Sequence, residues 1–222
     1  MQKKVKISER IALLLLAVVL MASCQKDGGY LNYEKQPPQI DANVYDYLQS
    51  KKGVYDSMLV VVDRVGLKRI LSNTRVTVFA ITNSSFTAAV RNLNILRSKQ
   101  GKNPLYLATL DDRNLDTLLC RYIVPGFYPT DSLAQYPDGY TTASLKYNGG
   151  ANMQLYTESA SGMAGGGPKY VIFSDTKGSF YINKWVRANT ISMDTYLRNG
   201  VIHVLSGDHE FGFSEFINRF NN

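Results

Sequence analysis

The sequence predicts a single α+β domain in which a helical N-terminal half packs on a strand-rich wedge or sandwich formed mainly by the C-terminal half. Apolar residues recur every three or four positions between Asp41 and Leu71, the spacing of one helix face, and Gly53 and Gly66 are natural helix stops. Beyond Thr141, short apolar runs alternate with turn residues, which is typical of β-hairpins. Of the 222 residues, 45% are hydrophobic, enough for one sizeable core with appendages.

The N-terminus carries a targeting signal. Basic residues precede an apolar run from Ile11 to Ala22, which is shorter than the roughly 20 residues that a helix needs to cross a bilayer but is typical of a secretory signal. Residues Met21 to Cys24, MASC, resemble the lipobox of bacterial lipoproteins. The resemblance implies a signal peptide over residues 1–23 and a lipidated Cys24 that anchors the mature chain in a membrane by its acyl chains. The alternative is an ordinary secretory peptide with an incidental cysteine.

Residues 24–40 are predicted to form a lipidated tether. The segment is polar, contains two glycines and two prolines, and shows neither helical nor strand periodicity. It would reach roughly 20 Å as a flexible coil and up to about 45 Å when extended, so the folded body stands off the membrane. Lys26 and Asp27 resemble charged tags that send lipoproteins to the cell surface in some diderm bacteria. We therefore expect a lipid anchor in the outer membrane of a diderm bacterium, with the domain exposed at the surface.

A buried strand followed directly by a helix is predicted in the first half of the chain. Residues from Val76 to Ile81 are mostly apolar on both alternating faces, as in a strand covered on both sides. Thr82, Asn83 and Ser84 follow, and their side-chain oxygens can accept the free N–H groups of a first helical turn. The helix should then continue to about Lys99.

A second strand is predicted to follow a leucine-rich helix. Asp111 and Asp112 begin this helix, which leads into the segment Tyr122 to Gly126, YIVPG. Cys120 lies among apolar neighbours and, if Cys24 carries lipid, has no cysteine left to pair with. It is therefore expected to be a small buried hydrophobe, with a reactive nucleophile as the alternative.

Two hairpins are predicted in the C-terminal half. Thr141 to Tyr147 should pair with Asn152 to Thr157 across an Asn-Gly-Gly turn. A second unit should run from Lys169 to Ser174 and back from Phe180 to Val186, with a further strand from Ala188 to Met193.

The last predicted strand begins at an Asn-Gly turn. Asn199 to Leu205 is apolar on both faces, and His203 within it is expected to be a buried imidazole with a hydrogen-bond partner, with catalysis as the alternative. Residues 211–222 form an aromatic tail that should pack back on the domain as a short helix. An exposed face for a partner protein is the alternative for this tail.

Three of these segments, in this order, resemble the fasciclin domain, an extracellular adhesion and binding module. The resemblance covers residues 41–210 and implies a helix pair beside a sheet. Ile123 stands where the family has a histidine linked with adhesion in animal members, which argues against an integrin-type function. The residues that match the family motifs, and that the resemblance implies are structural, are Thr77, Phe79, Thr82, Asn83, Phe86, Tyr122, Pro125, Gly126, Asn199, Gly200 and His203.

The inventory of reactive residues argues against an enzyme. The chain has two histidines, His203 and His209, so few residues are available for a histidine metal site or a Ser/His/Asp triad. We therefore expect no metal and no cofactor. Asp208 and Glu210 beside His209 suggest a solvated turn, with a cation contact as the alternative. The formal charge is +7, of which +3 falls before Ala12, so nucleic acid is not an expected partner.

Two functions are therefore predicted. One is a non-catalytic, membrane-anchored adhesion or docking module that contacts other proteins. The other is a glycan-binding accessory lipoprotein of an outer-membrane nutrient uptake system, with a transporter complex among its partners. The polar segment Arg97–Thr109 and the glycine-rich Ser159–Lys169 are expected to be adaptable contact loops. Candidate ligand-binding side chains on or near predicted strands are Tyr147, Tyr156, Tyr170, Tyr181 and Trp185.

Overall fold

In the computed structural model, which describes residues 38–160, 162 and 165–222, seven strands form one mixed sheet. The predicted signal peptide, Cys24 and nearly all of the tether lie outside the described residues. The strands are β1 (Val76–Ala80), β2 (Ile123–Pro125), β3 (Tyr140–Ala143), β4 (Gly150–Thr157), β5 (Lys169–Asp175), β6 (Val186–Leu197) and β7 (Gly200–Leu205).

The strand order across the sheet is β2-β1-β7-β6-β5-β4-β3. β1 and β7 run parallel, with Phe79 aligned with His203, and the other neighbouring pairs are antiparallel. Gly200 lies so close to β1 that a Cβ atom there would collide with the carbonyl oxygen of Val76. The glycine of the Asn-Gly turn therefore allows β1 and β7 to pair, because only a residue without a Cβ atom can lie this close to the backbone of β1.

Helices from the N-terminal half of the chain pack on the sheet. The predicted α+β fold class is confirmed. Gly53 and Gly66 adopt left-handed φ angles of 79° and 73° in the turns after the first two helices. Glycine takes this conformation without steric cost, so both residues end helices as predicted. The helices are α1 (Val44–Ser50), α2 (Asp56–Arg64), α3 (Lys68–Asn73), α4 (Asn83–Lys99), α5 (Asp112–Leu119), α6 (Thr130–Leu133) and α7 (Phe216–Phe220).

The polar side chains at the start of α4 do not cap it as predicted. Thr82 occupies the N-cap position but makes no side-chain cap bond, and its hydroxyl lies 2.8 Å from that of Ser84. Asn83 instead accepts the backbone N–H of Ser57 at 2.8 Å and donates to the carbonyl oxygen of Gly53 at 3.0 Å. The asparagine thus caps α2, because the tertiary fold brings the free N–H groups of that helix within its reach.

Two predicted strand boundaries are wrong. β3 ends at Ala143, and the chain turns through Tyr147 at a φ of 62°, because the backbone N–H of Leu145 bonds to the carbonyl oxygen of Ile123 at 2.8 Å and not to β4. The segment from Phe180 to Val186 is a loop with a short 3₁₀ turn, and β6 begins only where Val186 meets Asp175. Its aromatic composition, which favours strands, is overridden by side-chain to backbone bonds within the loop.

The aromatic C-terminal segment packs into the same core as the sheet. Phe79 stacks on Phe173 with ring centroids 3.7 Å apart. Tyr122, which is fully buried, stacks on Phe211 and Phe213 at 5.7 and 4.7 Å. The segment that follows β7 therefore forms one wall of the core.

A network of ion pairs fastens this C-terminal segment to β5. Arg121 donates two hydrogen bonds of 2.8 Å to Glu215 and one of 2.5 Å to Asp175, whose side chain is only 4% exposed. Lys177 bridges the same two carboxylates at 2.7 and 3.0 Å, and Arg219 joins at the rim. Burial opposes ionisation of Glu215, but the bonds from Arg121 and Lys177 outweigh it and lower the pKa of Glu215 to about 2.

The segment Arg97–Thr109, expected to be an adaptable contact loop, is instead held on α4. Arg97 is buried and donates to the carbonyl oxygen of Phe220 at 3.4 Å. The side chain of Asn94 binds both the N–H and the C=O of Leu105, at 2.8 and 2.7 Å. Because these bonds hold the segment at Arg97 and at Leu105, it has less conformational entropy to lose on binding than a free loop.

Candidate functional site

An exposed apolar loop joins β5 to β6. We call residues Thr176–Trp185 the tip. Three consecutive large apolar side chains in it, Phe180, Tyr181 and Ile182, are 98%, 75% and 52% exposed. Single exposed apolar residues are common, but a contiguous exposed group marks an interaction site in a soluble domain.

Hydrogen bonds within the tip give it a defined shape. Trp185 donates its indole N–H to the carbonyl oxygen of Ser179 at 2.8 Å. The hydroxyl of Ser179 accepts the backbone N–H of Tyr181 at 3.0 Å. Lys177 turns the chain at a φ of 53° and is tied to Glu215 at 2.7 Å. The three apolar side chains are therefore presented by a closed loop, at a low entropic cost for binding.

The tip and the start of the described chain lie at opposite ends of β6. Val186 leaves the tip, whereas Leu197 at the other end pairs with Ile40. The 12 residues of β6 rise by about 3.3 Å each, so the two ends are roughly 35–40 Å apart. A tether that enters at Ile40 therefore leaves the tip at the far end of the domain.

A polar pocket of about 540 Å³ adjoins the base of the tip. Two of its charged groups, Arg187 and Asp208, take part in none of the ion pairs between described residues. One oxygen of Glu210 accepts a hydrogen bond of 2.6 Å from Asn92. The polar side chains that line the pocket are Arg187, Asn189, Ser206, Asp208, His209 and Glu210.

His209 lines this pocket and is bonded to a buried tyrosine. The hydroxyl oxygen of Tyr122 accepts the backbone N–H of Gly212 at 2.8 Å and lies 2.8 Å from Nε2 of His209. Either Tyr122 or His209 can donate in this second hydrogen bond, according to the tautomer of the imidazole. Burial lowers the pKa of His209 to about 4, which keeps the imidazole neutral near physiological pH.

The predicted ligand-binding side chains lie in three separate places. Tyr147 is in the turn after β3 and donates its hydroxyl to Asp116. Tyr156 and Tyr170 face each other on β4 and β5 with ring centroids 5.4 Å apart. Tyr181 and Trp185 belong to the tip, which is not a strand.

The buried members of the family motifs hold the fold together. His203 is fully buried, donates from Nε2 to the carbonyl oxygen of Tyr128 at 3.0 Å, and accepts the N–H of Asp194 at Nδ1 at 3.4 Å. Asn199 accepts the N–H of Val44 at 2.9 Å and donates to the carbonyl oxygen of Leu71 at 2.9 Å, which joins α1 to α3. Both side chains satisfy buried backbone groups, which is a structural role.

The remaining motif residues shape the turn after β2 and the start of α4. Thr77 donates to the carbonyl oxygen of Gly126 at 3.1 Å and accepts the N–H of Tyr128 at 2.9 Å. Gly126 has a φ of 111°, and a Cβ atom there would strike the ring of Tyr128. Pro125 is exposed at the end of β2, and Phe86 stacks on Phe211 at 4.3 Å.

Sequence reasoning missed several residues of this region. Phe180 and Ile182 follow a Lys-Gly turn in the sequence, and this turn could have identified them as part of an exposed loop. Asp194 has a φ of 56° at an irregularity in β6 and accepts the N–H of Thr130 at 2.9 Å, so it caps α6. No sequence pattern identified Arg187 as a pocket residue, because the pocket forms only where β6 and the segment after β7 meet in the folded domain.

Cys120 is unsuited to nucleophilic chemistry. It is fully buried, and burial together with the neighbouring carboxylate of Asp116 raises the pKa of the thiol. Within the described residues, no three His, Cys, Asp or Glu side chains cluster as a metal site requires. Of the helices that the structure describes, none is long and apolar enough to cross a membrane.

The seven-stranded sheet and the helices packed on it define an α+β domain. The sequence profile of the fasciclin domain matches residues 53–207, more than half of the chain, so the chain belongs to the fasciclin domain family. Domains of this family are associated with adhesion or protein–protein contacts and are typically non-catalytic.

A solved structure with a similar fold is that of a FAS1 domain pair from the insect cell adhesion molecule fasciclin I, with a TM-score of 0.53. The two chains are 12% identical, and the match covers 78% of this chain and 51% of that chain. This chain thus spans about half the length of the solved one, and the likeness concerns the fold. No curated protein sequence matches the chain significantly.

Proposed function

We propose that the protein is a lipid-anchored, cell-surface adhesion or docking module that contacts another protein through the tip. The observation that carries this proposal is the run Phe180, Tyr181 and Ile182, exposed at the end of β6 opposite Ile40. A tether from Cys24 would enter the domain at Ile40, at the end of β6 opposite the tip. Aromatic side chains at such a position supply a large contact area for little loss of side-chain entropy.

The anchor is tested by Cys24→Ser. We expect that the variant is not acylated and does not undergo lipoprotein maturation. In detergent phase partitioning, the protein should therefore move from the detergent phase to the aqueous phase. The reason is that each buried methylene of an acyl chain contributes about 0.8 kcal/mol to membrane binding. Cys120→Ser is the matched control and should stay in the detergent phase. Unchanged partitioning of Cys24→Ser would rule out the lipid anchor.

The tip is tested by photocrosslinking on intact cells. Benzoylphenylalanine at position 180 replaces one exposed aromatic ring by another, so we expect it to leave the fold unchanged and to form a covalent adduct with one partner protein. The same crosslinker at Ile95, a 50% exposed apolar residue on α4, is the control and should form no such adduct. Tyr181→Ser in the crosslinking variant should reduce the adduct at least tenfold. Equal adducts at both positions, or none at position 180, would contradict a docking role for the tip.

A glycan-binding accessory role in nutrient uptake is the second candidate function. It is favoured by the pair Tyr156 and Tyr170, whose rings lie 5.4 Å apart and of which Tyr156 is 43% exposed. Deletion of the gene should then slow growth on one polysaccharide while leaving growth on its monosaccharide unchanged. Equal growth on both would exclude this role.

A further inference from the structure

One face of the β4–β5–β6 region is open to solvent around Tyr156 and Ile172, but it is covered at Asn152 and Ser174, which are buried on the same face. Along β5, Val171 and Phe173 are buried, whereas Ile172 between them is partly exposed. Along β6, Ala188 is buried and its neighbour Asn189 is exposed. Because side chains alternate across a sheet, the residues that are not buried share one surface, which we call the open face.

The register arranges polar and aromatic groups in a row on the open face. Tyr156 pairs with Tyr170, and Ile172, two residues further along β5, pairs with Asn189. Neighbouring strands lie about 4.8 Å apart and residues two apart along a strand lie roughly 7 Å apart, so Asn189 is about 8–9 Å from Tyr170. Asn189 also lines the polar pocket. The tyrosine pair and the pocket are therefore parts of one continuous surface.

The tyrosine pair offers an apolar platform with polar edges. The two rings are inclined by 47°, and Tyr156 is 43% exposed. In a core, such a pair would be covered by other apolar side chains, but here the ring faces meet water. A pyranose ring presents a patch of C–H groups on its face and hydroxyl groups at its edge, which matches an aromatic face flanked by hydrogen-bonding groups.

The pocket combines donors, acceptors and charges of both signs. The side chains of Arg187 and Asn189 can donate, and the carboxylates of Asp208 and Glu210 can accept. Two carboxylates disfavour an anionic ligand, and the guanidinium group disfavours a cationic one. A neutral polyol suits both, because each hydroxyl group donates one hydrogen bond and accepts others.

We propose that the open face binds a neutral oligosaccharide, which packs one sugar ring on Tyr156 and Tyr170 and places another in the pocket beside Asn189. The proposed site rests on the second candidate function, glycan binding, and gives it a ligand class and a position on the fold. It depends neither on the lipid anchor nor on protein contacts by the tip, which is a different surface. The site would allow one domain to hold a partner protein and a saccharide together.

The test is binding of the full-length protein to an array of defined oligosaccharides of two to six units, neutral and acidic, followed by calorimetry with the best neutral ligand. We expect neutral oligosaccharides to bind, and Tyr170→Ala and Asn189→Ala each to weaken binding at least tenfold. Tyr170→Phe should retain binding, because the ring and not the hydroxyl group makes the platform. Unchanged circular dichroism and melting of each variant show that the fold persists.

The matched control is Tyr181→Ala, which removes an exposed tyrosine from the tip. It should leave oligosaccharide binding unchanged and, when combined with the crosslinker at position 180, reduce the protein adduct at least tenfold, so the failure of either idea is seen separately. Binding to acidic oligosaccharides alone, binding to no oligosaccharide, or equal binding by the parent, Tyr170→Ala and Asn189→Ala would each overturn the proposal.

Discussion

Phe79→Ala is expected to lower the free energy of unfolding by about 3–5 kcal/mol. Phe79 is fully buried on β1, stacks on Phe173 at 3.7 Å, and lies 5.2 Å from the ring of His203 on the neighbouring strand. Alanine would lose the transfer energy of the ring and leave a cavity between two strands that are covered on both faces, where little can collapse inward. Urea unfolding followed by circular dichroism measures the effect, which corresponds to roughly 2–4 °C in melting temperature per kcal/mol.

Phe180→Ala is the matched control for this substitution. It makes the same chemical change at a side chain that is 98% exposed, so its effect on the free energy of unfolding should be within about 0.5 kcal/mol of zero. A loss below about 1 kcal/mol for Phe79→Ala would show that β1 is not the packed centre of the domain.

Arg121→Met is expected to destabilise the domain by about 3 kcal/mol, because it removes the main partner of a buried carboxylate. Asp175 would keep only Lys177, and Glu215 would lose its two bonds to Arg121, in the turn after α5, while keeping its contact with Lys177. The matched control is Arg219→Met, which removes a cation at the rim of the same network and should cost less than about 1 kcal/mol. Equal effects of the two substitutions would show that the network acts only at the surface.

The same network predicts a pH dependence. The pKa of Glu215 is lowered to about 2 in the folded state from an ordinary value of 4.5. Because the folded pKa lies below the unfolded one, the stabilisation is complete above pH 4.5 and is lost as pH falls from 4.5 toward 2. In Arg121→Met this part of the stability curve should be flatter, since one of the two cations that stabilise the carboxylate is gone.

Much of the fold could be predicted from local patterns. The alternation in Val76 to Ala80, followed by a helix, identified a buried strand, and the family motifs placed β7 beside it. Such strands can be recognised in the sequence because a strand covered on both faces requires apolar residues at nearly every position. The misreadings occurred where tertiary contacts overrode local preference, as in the aromatic tip and at Asn83, whose side chain caps a helix other than its own.

The candidate site was less predictable than the fold. Sequence reasoning named Tyr156 and Tyr170 but placed them with Tyr181 and Trp185, which lie in a loop beyond the far end of β5. Arg187 and Asp208, which line one pocket, are separated by β7 in the chain. Their proximity depends on strand order, and no local pattern encodes that order.

The sequence by itself determined the α+β class of this chain, because hydrophobic periodicity, helix stops and the Asn-Gly turn are local properties of the residues. The resemblance to the fasciclin domain came from three motif segments, and the match over residues 53–207 bears it out. Only the tertiary structure decided which surfaces remain free. A period of two shows that a strand has two faces, but whether a face is covered depends on what packs on it from distant segments. Here the segment from Phe211 onward covers one side of the core, and the open face and the tip are left to water.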